Sequence, residues 1–588
     1  MKVNRNLFWT ETFVKELIEG GVRYACISPG SRNTSLTLAL AGNKNIKSYV
    51  HIDERSSAFF ALGLAKGSST PVVVVTTSGT AAAELYPAII EAYQQRVPLI
   101  ICTADRPPEM LDCGANQTIN QNNLYKNHIR WFFDAGIPEA TEKRIKHIKI
   151  LARRAVYESC IRSKGPVHLN FPFRKPFEPN DFTDEISEKL YEFAKLPLSN
   201  IKFSDLAEHP VLEKEKWFNQ LYGDLCKFKN GLIIAGPENY NASFHKNCLK
   251  LSKMLGYPIL ADGASQLRFG QTDDENMVTN FDAILRNKKF SAKHNPKIIL
   301  QFGRTVTSKA LEEFLEECNS LRFLINEFGD WFDPSNKANE VYACKPFLFC
   351  EKMNDKLAKD NFLRSESRWL NDFLNADNKA KLIRDNFIQK TKFPDEARII
   401  NELIEALPPD VNLMLSNSMP VRDFDYFAAR TSKEISIYNN RGASGIDGIT
   451  STALGILAAS EKPTVLLTGD MAFYYDLNGL LAAKKYLLPL VVVLINNDGG
   501  GIFEVLPISN YGRVFKDYFV AAHHLDFAPF VKGYSGNYKL IKSWDDFSSS
   551  LKNAFKQKKF TVLEVKTDAE KSLKNRRLFW EKTSQALD

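Results

Sequence analysis

The sequence predicts an α/β protein of three domains, each a mainly parallel sheet flanked by helices. Short apolar runs of four to eight residues, such as "PVVVVTT" and "LVVVLIN", alternate with longer amphipathic stretches. That is the pattern of parallel strands covered on both faces. The alternation returns in three regions of a 588-residue chain, a length that calls for several domains. No run approaches the ~20 apolar residues of a membrane span.

The first region, about 1–185, opens with "MKVNRNLFWTETFVKELIEGG", an amphipathic helix with no apolar core and cleavage site of a leader. "YACISPG" and "PVVVVTTSGTAAAELYPAIIEAYQQRVPLIICTADRPP" then read as strand, Gly turn, helix and strand. The Pro/Phe-rich "GPVHLNFPFRKPFEPNDF" marks an edge. From about 186 to 375 the chain is more charged, but "GLIIAGP", "PKIILQFG" and "LRFLINEF" predict a second α/β unit. From about 376 to 588 the alternation resumes with "TVLLTGD", "LVVVLINND" and "FTVLEVKT". No short-period repeat or low-complexity segment interrupts it.

Composition bounds the function. With 44% hydrophobic and 25% charged residues the chain is globular. Nine Cys without a CxxC pair argue against a zinc ribbon or a disulfide framework and suit a reducing compartment, so a cytoplasmic location is expected. A net charge of +8, not gathered into Lys/Arg blocks interleaved with aromatics, argues against nucleic acid and leaves small anions open.

One stretch carries chemistry: "GDMAFYYDLNGLLAAKKYLLPLVVVLINNDGGGIF", Gly469 to Phe503. Ligands of parallel α/β sheets sit at the carboxyl ends of strands. Here one strand end delivers Asp470 and the next delivers Asn496 and Asn497, with a helix between. Hard oxygen ligands beside a helix start describe a Mg²⁺–diphosphate site in which the cation keeps water and phosphate ligands. Gly499 would add a backbone carbonyl. Taken singly, Gly-Asp and Asn-Asp-Gly are ordinary turn residues; their joint spacing is what favours a site. The chain lacks a GxGxxG turn and a P-loop, which sets a nicotinamide dehydrogenase aside.

The "GD…NN" spacing resembles the cofactor-anchoring motif of thiamine-diphosphate enzymes, with Met471 where the pattern has a second Gly. "SPGSRNTSLTLAL", "DERSSAFFALGLAK", "TSGTAAAELYPAIIEA", "TADRPPEMLDCGANQTI", "NRGASGIDGI" and "GDMAFYYDLNGL…INNDGGGIF" together resemble the 2-succinyl-5-enolpyruvyl-6-hydroxy-3-cyclohexene-1-carboxylate synthase family of menaquinone biosynthesis. The resemblance implies the thiamine-diphosphate-enzyme fold and a homo-oligomer with active sites between subunits. The first region would hold the aminopyrimidine, the third the diphosphate and metal, and the central region would be mainly structural. The implied cofactors are thiamine diphosphate and Mg²⁺ (or Mn²⁺). The implied reaction decarboxylates 2-oxoglutarate and joins the product to isochorismate.

By the same resemblance Glu54 is the catalytic acid that shares a proton with the pyrimidine, and Ile446 is the apolar wedge that bends the cofactor. Pro29, Thr80, Gly469, Asp470, Met471, Ala472 and Asn497 complete the cofactor set, with Asp470, Asn497 and Gly499 on the metal. Both substrates are dicarboxylates, and Arg suits planar anions. Arg32, Arg106, Arg422 and Arg441, all expected in loops after strands, match the family, as do Ser31, Gln117, Lys309 and Ser418. Ile502, Phe503 and Leu506 would line the apolar side. Some relatives carry a second base after the matched Lys, whereas Ala310 follows Lys309 here. The nearest alternative is another thiamine-diphosphate-dependent 2-oxo-acid decarboxylase or acetohydroxyacid synthase-like carboligase, which has no second carboxylate to bind. A non-catalytic scaffold would not need Glu54 or the metal positions.

Overall fold

The computed structural model describes residues 1–198, 215–270, 276–364 and 367–588. Three six-stranded sheets carry the chain, and all neighbouring strands within each are parallel. The first holds β1 Tyr24–Ile27, β2 Lys47–Val50, β3 Val72–Thr76, β4 Leu99–Asp105, β5 Trp131–Asp134 and β6 Val167–Pro172. The second holds β7 Gly231–Ala235, β8 Ile259–Ala261, β9 Met277–Val278, β10 Ile298–Phe302, β11 Leu321–Asn326 and β12 Glu340–Ala343. The third holds β13 Val411–Leu415, β14 Ile435–Asn439, β15 Thr464–Gly469, β16 Val491–Asn496, β17 Asn537–Leu540 and β18 Thr561–Lys566. Every residue of β3, β4 and β16 is buried, as strands between two helical layers must be.

The spatial orders are β2-β1-β3-β4-β6-β5, β9-β8-β7-β10-β11-β12 and β14-β13-β15-β16-β18-β17. The first and third sheets therefore share one topology, and the middle sheet has another. In the shared topology the strand order reverses between its first and third strands, where such sheets open a crevice for ligands. β1 and β3 flank it in the first sheet, β13 and β15 in the third.

Seven helices position the functional side chains: α1 Glu54–Ser68, α2 Lys309–Glu317, α3 Glu396–Ala406, α4 Met419–Phe427, α5 Ile449–Ser460, α6 Asp470–Tyr475 and α7 Ala569–Leu587. α1 and α5 join the first and third units through one apolar cluster that includes Phe59, Phe60, Leu64, Ile449, Ala453 and Ile456. Their backbones touch: a Cβ on Gly63 would lie 2.0 Å from the Thr452 carbonyl oxygen, and one on Gly455 would lie 2.1 Å from that of Phe60. Only glycine permits this approach. Buried Asp476 ties the two helix starts, accepting from Ser451 N at 2.6 Å, Ser451 Oγ at 3.0 Å and Ser56 Oγ at 3.3 Å. Burial raises its carboxyl to about 6. The middle unit meets the third through fully buried Arg268, which donates to Asp425 Oδ1 at 2.7 Å.

Candidate active site

The crevice of the third sheet holds a cavity of about 400 Å³. It forms because three neighbouring strand ends, β13, β15 and β16, deliver Asn417–Ser418, Gly469–Asp470 and Asn497 to one place. Of the residues singled out from sequence, it brings together Ser418, Arg422, Arg441, Ile446, Gly469, Asp470, Met471, Ala472, Asn497, Gly499, Ile502 and Phe503. Leu506 lies outside its lining and is 45% exposed.

Asp470 begins α6 and is only 2% exposed. Its Oδ1 accepts Met471 N at 2.7 Å, and its Oδ2 accepts Gly499 N at 3.0 Å and faces His523 Nε2 at 3.2 Å. The other ring nitrogen, Nδ1, accepts Leu525 N at 3.0 Å, so Nε2 carries the proton that points at the carboxylate. Burial raises the Asp470 carboxyl, against the pull of these donors. Gly499 has φ +136°, and a Cβ there would meet the Val520 carbonyl oxygen at 2.2 Å. The crowding that demands glycine thus comes from the backbone of the following loop.

The two adjacent amides separate in role. Asn496 turns to the sheet, donating to Glu564 Oε1 at 2.7 Å and accepting Asp498 N at 3.0 Å. Asn497 lines the cavity, and its Nδ2 donates to Glu396 Oε1 at 3.1 Å.

Arg422 corrects the expectation of a loop: it lies in the first turn of α4, which begins at Met419 with Pro420 as its second residue. Its Nη1 donates to the Ser418 carbonyl at 2.6 Å. Ser418 itself has φ +72° and ψ −132°, a conformation a serine holds only when its surroundings impose it. Arg441 is pushed below the usual guanidinium range, first by burial and then by Arg422. Among the described residues neither arginine has a carboxylate within ion-pair distance. Glu312, paired with exposed Lys309 at 3.2 Å on α2, is near enough for its charge to act on Arg441. The Arg441 loop is held from the first unit: buried Glu91 accepts Gly442 N at 2.8 Å and Ala443 N at 2.6 Å.

Pro29, Ser31, Arg32, Thr80, Arg106 and Gln117 gather instead at the corresponding crevice of the first sheet, past the ends of β1, β3 and β4. Arg106 Nη1 donates to Ser78 Oγ at 2.7 Å, and Gln117 Nε2 donates to the Ser78 carbonyl at 3.1 Å. Arg32 is 8% exposed and commits Nη1 to the Phe173 carbonyl at 2.7 Å, while its buried Nε has no partner. Burial, then the nearby Arg106, lower it to about 10. Gln121, missed from sequence, fixes the turn before Thr80 by accepting Gly79 N at 3.0 Å. Glu54 starts α1 behind the Asp53 cap, and burial raises its carboxyl. Within one chain Glu54 and the first-sheet set do not line the cavity of the third sheet.

Three family patterns cover the chain: the thiamine pyrophosphate enzyme N-terminal TPP-binding domain over residues 9–124, the thiamine pyrophosphate middle domain over 202–415, and the C-terminal TPP-binding domain over 426–565. Curated 2-succinyl-5-enolpyruvyl-6-hydroxy-3-cyclohexene-1-carboxylate synthases are similar along almost their whole length. That of Bacillus cytotoxicus is 36% identical over 98% of this chain and 96% of its own, and that of Geobacillus thermodenitrificans 37% over 99% and 97%. The chain belongs to this synthase family of thiamine-pyrophosphate enzymes. In solved structures the same fold occurs in benzoylformate decarboxylase from Polynucleobacter necessarius, at TM-score 0.69 and 17% identity over 97% of this chain and 99% of that one. It also occurs in a thiamine diphosphate-dependent 4-hydroxybenzoylformate decarboxylase from Rhodococcus jostii, at TM-score 0.71 and 15% identity over 95% and 99%. At such identities the likeness is one of fold alone. The two TPP-binding patterns fall on the two sheets of shared topology: residues 9–124 take in β1 to β4 of the first, and 426–565 take in β14 to β17 and nearly all of β18 of the third, whereas the middle pattern, 202–415, takes in the second sheet and also β13.

Proposed function

We propose that the chain is a thiamine-diphosphate-dependent synthase that decarboxylates 2-oxoglutarate and adds the succinyl unit to isochorismate. The observation that carries this is the third-sheet cavity, which combines buried Asp470 and partly exposed Asn497 with two arginines that lack a carboxylate partner among the described residues, in a chain similar to the synthases over 98% of its length.

The residues fit the cofactor. Asp470 Oδ1, which accepts only Met471 N, Asn497 Oδ1 and the Gly499 carbonyl would hold Mg²⁺ or Mn²⁺. Among the described residues no three His, Cys, Asp or Glu side chains gather as a metal group, so the cation depends on diphosphate and water for its remaining ligands. The Gly469–Ala472 backbone would face the diphosphate, and Ile446 would support the rings. When bound, thiamine diphosphate supplies the nucleophilic carbon and the electron sink for loss of CO₂. Glu54 holds a proton at its carboxyl for exchange with the aminopyrimidine, and burial favours that protonated form. Arg422 and Arg441, with Arg32 and Arg106 from the first-sheet crevice, receive the carboxylates of the two substrates, helped by Ser31, Gln117, Lys309 and Ser418. Ile502 and Phe503 exclude water on the apolar side.

Glu54 does not line the cavity of its own chain, and this supports a site shared between two copies. Ile52 before α1, Tyr474 and Tyr475 at the end of α6, and Leu487 before β16 are half to three-quarters exposed, apolar surface for a second copy to cover. The test is direct: purified protein with thiamine diphosphate, Mg²⁺, 2-oxoglutarate and isochorismate should give the condensed product by mass spectrometry, and pyruvate should be a poor donor. Equal turnover of pyruvate would point to a general 2-oxo-acid decarboxylase.

A further inference from the structure

Asparagine is an ambiguous ligand, because its amide presents an oxygen at one end and two N–H donors at the other. Only the oxygen can face a cation. Which end faces the cavity is set by what holds the other end. At Asn497 that partner is Glu396, which is 2% exposed and lines the same cavity. A carboxylate can only accept, so Nδ2 must turn to Glu396 Oε1, at 3.1 Å. Among the described residues nothing donates to Asn497 Oδ1, which leaves it for the cavity.

Glu396 is in turn immobilised. Its Oε1 also accepts Thr567 Oγ1 at 2.8 Å, and its Oε2 accepts Arg576 Nη2 from α7. Arg576 grips Asp423 as well, through Nε to Oδ1 and Nη2 to Oδ2, both at 2.6 Å. Glu396 and Asp423 thus share one guanidinium, with buried Asp395 beside them. None of these residues was singled out from sequence.

We infer that Glu396, anchored by Arg576, is the positioning residue that sets the polarity of the Asn497 amide so that its oxygen faces the cation. This rests on the reading of Asn497 as a metal ligand. The logic of the cluster makes it testable by reversal. In Glu396→Gln, Arg576 draws the new amide oxygen to itself, so the new N–H₂ faces Asn497. Asn497 must then turn its own oxygen away from the cavity and present N–H₂ to the metal. Adding Asn497→Asp reverses the pair: the introduced glutamine donates, and the introduced aspartate accepts with one oxygen and offers the other to the cation. The pair's net charge is the same as in the parent.

The experiment is titration calorimetry of Mn²⁺ into each protein in the presence of thiamine diphosphate, alongside thermal unfolding of the metal-free and cofactor-free proteins. Glu396→Gln should weaken Mn²⁺ by at least ~10-fold, the scale of lost outer partners of metal ligands. Glu396→Gln/Asn497→Asp should return to within a few fold of the parent. Should Glu396→Gln fail to fold, Glu396→Asp keeps the charge and the Arg576 pair but withdraws the oxygen from Asn497, and the same weakening is expected. If Asn497→Ala leaves Mn²⁺ affinity unchanged, the ligand reading itself fails. If Asn497→Ala weakens Mn²⁺ but the Glu396 single variants bind it like the parent, or the double variant stays as weak as Glu396→Gln, the ligand reading stands and the positioning role is overturned.

Discussion

Asp470 and Gly499 are bonded across the ends of neighbouring strands β15 and β16, with the Gly499 amide donating to Asp470 Oδ2 at 3.0 Å. That one bond brings the acid at the start of the Gly469–Phe503 stretch to the glycines at its end. It also locks both proposed metal-binding segments into one unit. Asp470→Ala should therefore lower thiamine diphosphate and Mg²⁺ affinity together, by ~10-fold or more, since a removed ligand costs at least what a removed outer partner does. Met471→Gly should change either by only a few fold, because position 471 contributes backbone. Calorimetry showing parent-like affinities in Asp470→Ala would remove Asp470 from the site.

Gly499→Ala tests the same junction without touching a side-chain ligand. Its φ of +136° is open to glycine alone, and the added methyl would meet the Val520 carbonyl oxygen. Backbone strain of this kind costs ~1–3 kcal/mol. Thermal unfolding should fall by several degrees, and metal affinity should fall with it, since the 499 carbonyl shifts as the loop gives way. Unchanged Tm would mean that the loop relaxes freely.

Glu54 is a liability in the resting protein. Its folded carboxyl is raised above the unfolded value by burial, so it favours folding in its neutral form and opposes it at neutral pH. Glu54→Gln should leave the cofactor-free protein at least as stable as the parent at pH 7, and should retain most diphosphate-driven binding. Turnover should drop by ~10² to 10⁴, the scale of a lost acid–base group. Near-normal turnover would remove Glu54 from the mechanism.

Asp476 gives a pH signature to the α1–α5 junction. Its carboxyl titrates at about 6, raised by burial above an unfolded value of ~3.9. The neutral form is therefore the stabilising one: its contribution is complete below pH ~4 and is lost as pH rises through about 6. The loss reaches ~3 kcal/mol at most, because each tenfold change in proton affinity is worth about 1.4 kcal/mol. Asp476→Asn still accepts from Ser451 and donates to Ser56, but does not titrate. Unfolding curves of the cofactor-free proteins between pH 4.5 and 7 should show the parent losing stability relative to the variant. Parallel curves would show that Asp476 stays in one protonation state.

The sequence is readable where chemistry is local. The runs around Val72–Thr76, Leu99–Asp105, Thr464–Gly469 and Val491–Asn496 announce strands because each is buried on both faces. Asp470 and Asn497 stand out because each puts a polar side chain at the end of an apolar run, and both line the third-sheet cavity. Short or half-exposed strands such as Lys47–Val50 and Asn537–Leu540 carry no apolar run, and the sequence passes over them. Glu91, Glu396, His523 and Arg576 are equally silent, because each acts on a segment far away in the chain and looks in isolation like any other polar residue. The shared topology of the first and third sheets is invisible for a similar reason: strand order is set by crossovers, which leave no residue pattern.

On the proposed reading, the arginines are what separates the synthase from a decarboxylase of simpler 2-oxo acids. A charge left unpaired away from water is costly, and Arg32, Arg422 and Arg441 are held without carboxylate partners among the described residues. Arg441 is moreover pushed down by burial and by Arg422, so in the resting protein the pair repels. A dicarboxylate entering the cavity relieves that repulsion, whereas pyruvate brings no second carboxylate to do so. Truncating one partner of such a pair costs ~2–5 kcal/mol, or roughly 30- to 5000-fold. Arg422→Ala and Arg441→Ala should therefore raise KM for at least one dicarboxylate by that order, while thiamine diphosphate affinity stays within a few fold. The cofactor-free Arg441→Ala protein should unfold at or above the parent temperature, because a repelled, partly desolvated charge has been removed. Arg32→Ala and Arg106→Ala should also raise KM for a dicarboxylate, and any residual turnover of pyruvate should change little in all four variants. Parent-like KM for both dicarboxylates in all four would mean that these arginines shape the cavity without reading the substrate.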